Sequence, residues 1–314
     1  MTNNDHPHIS VVIPLYNCSQ FVEQLCSRLI QTLETITEDF EIILVNDASP
    51  QNDWEIIRGL AERNIRIKGL NLSKNFGQHF AITAGIDHAL GDWIVVMDGD
   101  LQDPPEEIVK LYKCAQQGYD TVFGCKSLRK DAIGKRLLSK SFHRVFDYLA
   151  DTSTDNRVGN FSICSGEVAR NFRLLREHNR SYPDFVRWMG YRVAYVDIEH
   201  APRLEGESSY SLSKRLKLAN QIIVALSNKP LRISIGFGFI MAAISLICGL
   251  ILVGRYIFFS KPLAGWTSVM VSIYLIGGLL FLNLGIIGVY IGRIFDETKN
   301  RPLYLVKEKI NVKP

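Results

Sequence analysis

Residues 93–107 read Trp-Ile-Val-Val-Met-Asp-Gly-Asp-Leu-Gln-Asp-Pro-Pro-Glu-Glu. The short β-branched run Trp93–Met97 predicts a strand, and it stops at Asp98-Gly99-Asp100, a polar turn in which glycine permits a tight bend. Asp103-Pro104-Pro105-Glu106-Glu107 then reads as a helix start, with proline early and acids in the first turn. Two carboxylates spaced i, i+2 at a strand tip suit a hard divalent cation, Mg2+ or Mn2+, that takes its remaining ligands from a diphosphate. A DxD pair alone arises in many turns. Its position after a strand, with Gln102 and the acidic helix start beside it, favours the metal reading.

Outward from this stretch, apolar runs alternate with helical patterns. Strands are expected at Ile9 to Pro14, Glu41 to Asn46, Ile65 to Leu70, Trp93 to Met97 and Thr121 to Phe123. Helices are expected near Phe21 to Thr35, Asp53 to Glu62, Gln78 to Ala89 and Pro105 to Gln116. This rhythm predicts an α/β fold, a mostly parallel sheet with helices on both faces, whose ligand lies beyond the carboxyl ends of the strands. Those ends carry Pro14-Leu15-Tyr16-Asn17, Asn46-Asp47-Ala48-Ser49, Ser73-Lys74-Asn75-Phe76-Gly77 and the Asp98–Asp103 turn. Neither GxGxxG nor GxxxxGK[ST] follows the first strand, which argues against a dinucleotide-binding Rossmann domain or a P-loop NTPase.

Charge divides the chain. Between Ile233 and Gly292 only Arg255 and Lys261 are charged, so 66 of the 68 acidic and basic side chains fall on the other 254 residues. Uncharged runs of 22 residues (Ile233 to Gly254) and 31 residues (Pro262 to Gly292) are each long enough to span a bilayer as a helix. Basic residues flank both runs: Lys214, Arg215, Lys217, Lys229 and Arg232 before, Arg293, Lys299, Arg301, Lys307 and Lys309 after. The positive-inside bias therefore predicts a hairpin with both termini and the catalytic portion in the cytoplasm, a multi-pass protein of the cytoplasmic membrane. The expected organisation is a cytosolic domain over 1–210, an interfacial amphipathic helix over 211–229, transmembrane helices over 230–259 and 266–292, and a cytosolic tail over 293–314. Gly285, Gly288 and Gly292 could permit close helix approach. A net charge of +4 is too small to argue for nucleic acid. The cysteines form no CxxC pair and read as reduced thiols, and the N-terminus shows no apolar signal core.

The combination PLYN, VNDAS, SKNFGQ, MDGDLQDPPE, RLEGESSY and YIGRIFDETKNRPLYLV resembles the membrane-anchored polyprenyl-phosphate glycosyltransferases of family 2. These have a GT-A (Rossmann-like) fold and include bacterial undecaprenyl-phosphate glucosyltransferases and dolichol-phosphate mannose synthases. The resemblance runs from Ile9 to about Val306. It implies inverting transfer of a sugar, glucose or a related hexose, from a nucleotide donor, UDP-linked by preference, to a polyprenyl phosphate for surface-glycan (for example O-antigen) modification. It also implies a homo-oligomer, by resemblance a tetramer, working with a flippase and a later transferase.

By the same resemblance, Pro14, Tyr16, Asp47, Asn75, Gly77 and Asp98 hold the nucleotide, and Asp100 and Gln102 ligate the metal. Lys126, Arg129, Arg136, Ser139, Arg203 and Ser208 take the acceptor phosphate, and Asp98, Asp100 and Arg203 are the catalytic set. Two departures stand out. Cys18 replaces the usual acid after Tyr-Asn, and the family's GDFRL-like segment reads Gly159-Asn160-Phe161-Ser162-Ile163; both put the sugar's identity in question.

A lipid phosphate whose second pKa lies near 6 is already largely dianionic at pH 7, so attack on an anomeric carbon needs no strong general base. His79 accordingly reads as structural. Two other functions are weighed: a membrane transferase acting on a saccharide acceptor, which would need a base and a QxxRW-type motif where this chain has Asp184-Phe185-Val186-Arg187-Trp188, and a non-catalytic sugar-nucleotide-binding scaffold. The intact DxD argues against the second.

Overall fold

The computed structural model describes residues 7–126, 158–199, 229–259 and 265–312. They fall into two units, one containing the described residues up to 199 together with 301–312, the other containing 229–259 and 265–300.

The first unit is organised by β1 (Ile9–Leu15) and β2 (Phe40–Asn46), in which all seven residues of each strand are buried. Such unbroken apolar runs occur where helices cover both faces of a sheet. Alternate residues serve the two faces. Val11, Ile13 and Leu15 pack with Leu25 and Leu29 of α1 (Ser19–Glu34). Val12 packs with Ala81 and Ile82 of α3 (Gln78–His88). The α3 helix comes so close that a Cβ on Gly85 would lie 2.2 Å from Val12 Cγ1, so only glycine fits there. α2 (Asp53–Arg63) follows β2, and β3 (Ile67–Leu72) follows α2. After β4 (Trp93–Val96) a short 3-10 turn, Pro105–Glu107, leads into α4 (Ile108–Ala115). β5 (Thr121–Lys126), β6 (Val158–Ser165), α5 (Gly166–Phe172), α6 (Tyr182–Trp188) and β7 (Val193–Ile198) complete this stretch of the unit.

The eight strands form one sheet in the order β7-β5-β6-β4-β1-β2-β3-β8, where β8 is Val306–Ile310. The chain winds from β1 through β2 to β3, then crosses to place β4 on the other side of β1. This reversal opens a crevice at the carboxyl ends of β1 and β4, the position at which open α/β sheets bind ligands. The expected strands and helices up to residue 123 are present within a few residues. Four of the seven strand pairings are parallel, as expected, but the sheet is mixed, because β6 runs antiparallel to both β4 and β5, and β8 antiparallel to β3. The C-terminal residues expected to form a tail instead close one edge of the sheet. Asn311 Nδ2 anchors that edge by donating to the carbonyls of Ala61 and Ile67, at 2.7 and 2.9 Å.

The second unit holds α7 (Lys229–Phe259) and α8 (Trp266–Thr298). Ser234 Oγ of α7 donates to Asn283 Oδ1 of α8, and Asn283 Nδ2 donates back to the Leu279 carbonyl at 2.9 Å. Among the described residues, one stretch is long and apolar enough to cross a membrane, Leu275–Thr298, and none of it is buried within the protein. Of the two crossings expected over 230–259 and 266–292, the described residues show one candidate, in α8. A Cβ on Gly285, Gly288 or Gly292 would meet nothing within 4 Å among the described residues. The expected interfacial helix lies outside the described residues up to 228.

Candidate functional site

Four strand tips converge at the crevice, and three of them need left-handed backbone to turn out of the sheet. Asn17, Ala48 and Leu101 adopt φ of 57°, 50° and 57°. Asparagine tolerates this region by hydrogen-bonding locally; for Ala48 and Leu101 it is a strained conformation that the surrounding packing must hold. Leu101 is buried, which fixes the turn that carries Asp100 and Gln102. Gly99 sits against the tip of β1, where an added Cβ would lie 2.4 Å from Leu15 Cδ2 and 3.4 Å from the Pro14 carbonyl oxygen. Pro14 is itself buried within β1, paired with Val45, so it shapes the tip from beneath. Tyr16, one step further, is 46% exposed.

The β2 tip organises the next loop. Asp47 is buried, and its two carboxylate oxygens accept from the backbone N–H groups of Phe76 and Gly77, both at 2.8 Å. Burial raises its pKa above the ordinary value and the two N–H bonds oppose that rise. The sequence suggested a direct nucleotide contact for Asp47; what the geometry displays is a carboxylate clamping the 73–77 loop. Gly77 has φ of 105°, open to glycine at little cost, and Asn75 stands exposed on the loop.

Gln78, the first residue of α3, donates from Nε2 to Asp98 Oδ1 at 2.7 Å, and Asn160 Nδ2 of β6 reaches the same oxygen at 3.2 Å. Neither amide was assigned a role from sequence; Asn160 was visible there only as a departure from a motif. Gln102 Nε2 donates to Asp100 Oδ2 at 2.6 Å, and its backbone N–H to Asp100 Oδ1 at 3.2 Å. Cys18 Sγ donates to the Tyr16 carbonyl at 3.4 Å. Burial first, then the negative charges of Asp53, Asp100 and Asp98, push the thiol up to about 11 against the hydrogen bond to Tyr16. Where the family pattern has an acid, this chain therefore holds a neutral thiol beside its acidic cluster. Asp53 Oδ2 accepts the Cys18 backbone N–H at 3.2 Å, tying the first two tips together.

These residues fit a hard divalent cation. Asp100 and Gln102 are in contact through the Gln102 amide nitrogen, so an ion on the Asp100 carboxylate would displace that N–H and take the Gln102 amide oxygen once the amide turns over, a carboxylate-plus-amide-oxygen donor set of the kind Mg2+ and Mn2+ prefer. No group of three or more His, Cys, Asp or Glu side chains able to hold a metal occurs among the described residues. An ion here would complete its coordination from a bound diphosphate and water.

Other sequence assignments separate from this cluster. His79 Nδ1 accepts the Tyr182 backbone N–H at 3.4 Å, and burial lowers its pKa, the arrangement of a neutral structural imidazole. Arg187 is paired with Asp184 at 2.5 Å. Lys126 ends β5. Arg129, Arg136, Ser139, Arg203 and Ser208 lie outside the described residues.

The sequence model described as Glycosyl transferase family 2 matches residues 10–190. The chain belongs to this family. Among relatives of this family 2 glycosyltransferase, an uncharacterized glycosyltransferase, YkcC, of Bacillus subtilis (strain 168) is 34% identical over 98% of the chain and 95% of the relative. The bactoprenol glucosyl transferase of Shigella phage SfII is 33% identical over 96% of the chain and 97% of the relative. Among solved structures, glucosyl-3-phosphoglycerate synthase from Mycobacterium tuberculosis, in complex with Mn2+, uridine diphosphate and phosphoglyceric acid, matches with TM-score 0.50. That match is 16% identical and covers 70% of this chain and 77% of that one. It shows the shared GT-A fold of the sheet unit.

Proposed function

We propose that this family 2 glycosyltransferase transfers glucose or a related hexose from a UDP-linked donor to undecaprenyl or another polyprenyl phosphate at the cytoplasmic face of the membrane, for modification of a surface glycan such as O-antigen. The observation that carries this reading is the length of the likeness. Relatives named bactoprenol glucosyl transferase match 95 to 96% of the chain at 32 to 33% identity, through the long apolar helices as well as the sheet.

The strand tips supply what such a reaction needs on the donor side. Tyr16, Asn75 and Gly77 line the mouth at which the nucleotide binds, with Pro14 and Asp47 shaping it from within. Asp98 is oriented by Gln78 and Asn160 toward the ribose and diphosphate. Asp100 and Gln102 would hold Mg2+ or Mn2+, which as a Lewis acid stabilises a leaving diphosphate. On the acceptor side, Lys126, Arg129, Arg136, Ser139, Arg203 and Ser208 hold the lipid phosphate. The phosphate is nucleophilic as its dianion, so the residues' task is to neutralise and align two anionic partners rather than to remove a proton. Direct displacement inverts the anomeric centre.

Connectivity favours a membrane hairpin. The chain leaves the sheet unit before α7 and re-enters it at Arg301, so a membrane-inserted α7–α8 pair begins and ends on one side and crosses an even number of times. We therefore place two crossings in α7 and α8, with the sheet unit in the cytoplasm.

Membranes carrying the protein, supplied with undecaprenyl phosphate, a divalent cation and labelled UDP-glucose, are expected to yield a β-linked lipid monophosphate sugar that Asp100→Asn abolishes. Label on a glycan instead of a lipid would establish a saccharide acceptor. Absence of product across a panel of UDP- and GDP-sugars would leave only sugar-nucleotide binding, and a retained anomeric configuration would exclude direct displacement.

A further inference from the structure

The chain's last strand reaches the donor side of the sheet. Because β8 runs antiparallel to β3, it begins at the carboxyl end of β3: Val306 pairs with Leu72 and Ile310 with Gly69. One residue before β8, the Leu305 carbonyl accepts the Ser73 N–H at 2.9 Å, so the ladder extends past the strand into the 73–77 loop. That loop is thus held at both ends. Leu305 fixes its start, and Asp47 fixes its finish through Phe76 and Gly77. Immediately beyond it, Gln78 reaches Asp98.

The segment around Leu305 is firmly docked within the sheet unit. Leu303 is buried, and Tyr304 packs in the same apolar cluster as Phe76. Tyr304 Oη donates to Asp87 Oδ2 at 2.7 Å, an oxygen that Arg176 also holds at 2.8 Å. On β8 itself, Glu308 accepts from Trp54 Nε1 at 3.1 Å and from Arg58 at 2.9 Å. Without these contacts, β3 would be an edge strand and the Ser73 N–H would lose its partner.

We propose that the C-terminal segment, Leu303 to Asn311, is a positioning element for the donor site: by holding Ser73 through Leu305 it sets the 73–77 loop, and through that loop the Gln78 contact to Asp98. The site is then incomplete until the chain has passed through α7 and α8 and returned. This rests on reading the strand tips as the donor site, so the test separates the two claims.

The full-length protein in nanodiscs, as wild type and as the Glu308→Ala/Asn311→Ala double variant, is compared by hydrogen exchange and by UDP binding in Mn2+. Both substituted residues lie on β8 or its end, away from the crevice. Expected are faster exchange at the 73–77 amides along with 306–310, and UDP binding weakened roughly five- to tenfold, the size of one or two lost ordering bonds. Faster exchange at 306–310, with the loop and the UDP affinity unchanged, overturns the proposal. If the double variant does not fold, Ser73→Pro removes the single N–H that Leu305 accepts while leaving the β8 ladder. Weaker UDP binding is expected there, and unchanged binding overturns the proposal. A wild type that does not bind UDP defeats the donor reading, while the exchange comparison still decides whether β8 orders the loop.

Discussion

Gln78 Nε2 lies 2.7 Å from Asp98 Oδ1, so the first residue of α3 is joined to the first acid of the Asp98-Gly99-Asp100 turn across the gap between two strand tips. Asn160 adds a second amide to the same oxygen. Two neutral amide donors on one carboxylate orient it, a task that an ionised acid at either position, an acceptor only, could not perform.

Gln78→Ala is therefore expected to lower kcat/KM by about one to two orders of magnitude, since a hydrogen bond to a charged group is worth roughly 1.5–3 kcal/mol. Gln78→Glu, which places a second anion against Asp98, is expected to be worse than alanine. Steady-state kinetics on both variants decides it, and equal activity of the two would show that charge at this contact is immaterial.

Asp47→Asn removes one acceptor oxygen, leaving either Phe76 or Gly77 with an unanswered N–H, at a cost of about 1–3 kcal/mol. The effect has a pH signature. Burial raises the folded-state pKa of Asp47, so its contribution is fullest below the ordinary carboxylate value and is lost as pH rises through the raised one. Urea melts from pH 4 to 7 should show the stability advantage of wild type over Asp47→Asn shrinking as pH increases. An advantage that grew instead would mean that the two N–H bonds outweigh burial.

Gly99→Ala puts a methyl group 2.4 Å from Leu15 Cδ2. Either the β1 tip or the acidic turn must move, at a cost of about 1–3 kcal/mol for an overpacked site. Because the turn carries Asp98 and Asp100, activity is expected to fall more than stability, which parallel melts and transfer assays would show.

Cys18 is expected to resist alkylation despite its place beside the site. A thiol raised from 9.0 to about 11 carries roughly a hundredfold less thiolate at neutral pH, and the thiolate is the reactive form. Peptide mapping after iodoacetamide treatment at pH 8 should find Cys18 unmodified in the folded protein and modified after denaturation. Rapid modification of the native protein would contradict the burial.

Much of this molecule is legible in its sequence. Trp93–Val96 and the run of acids behind it announce a strand and its tip, because β-branched residues and turn formers are local signals that do not wait for partners. The other strands as far as Thr121 and the helices between them follow from the same periodicity, and the long uncharged runs near the end mark α7 and α8 by length alone. Three strands were not legible. Val158–Ser165 interleaves polar residues with apolar ones, Val193–Ile198 is an edge strand, and Val-Lys-Glu-Lys-Ile at 306–310, with three charges in a row, reads like a solvated tail. Each becomes a strand through pairing with a distant segment, and that energy is not written in its own residues.

The sequence by itself determined the α/β pattern, the acidic turn at residues 98–100 and the division between charged and uncharged portions, all properties of short windows. Tertiary structure alone decided which side chains meet. It set Gln78 and Asn160 on Asp98, aimed the Asp47 carboxylate at a loop, made a neutral thiol of Cys18, and brought Leu305 back to Ser73 after the excursion through two long helices. Contacts of this kind span from 20 to more than 200 residues of chain, and they exist only once burial has drawn the strands into one sheet. Hydrogen-bond partners and pKa shifts depend on that burial, so neither can be assigned before the sheet is assembled.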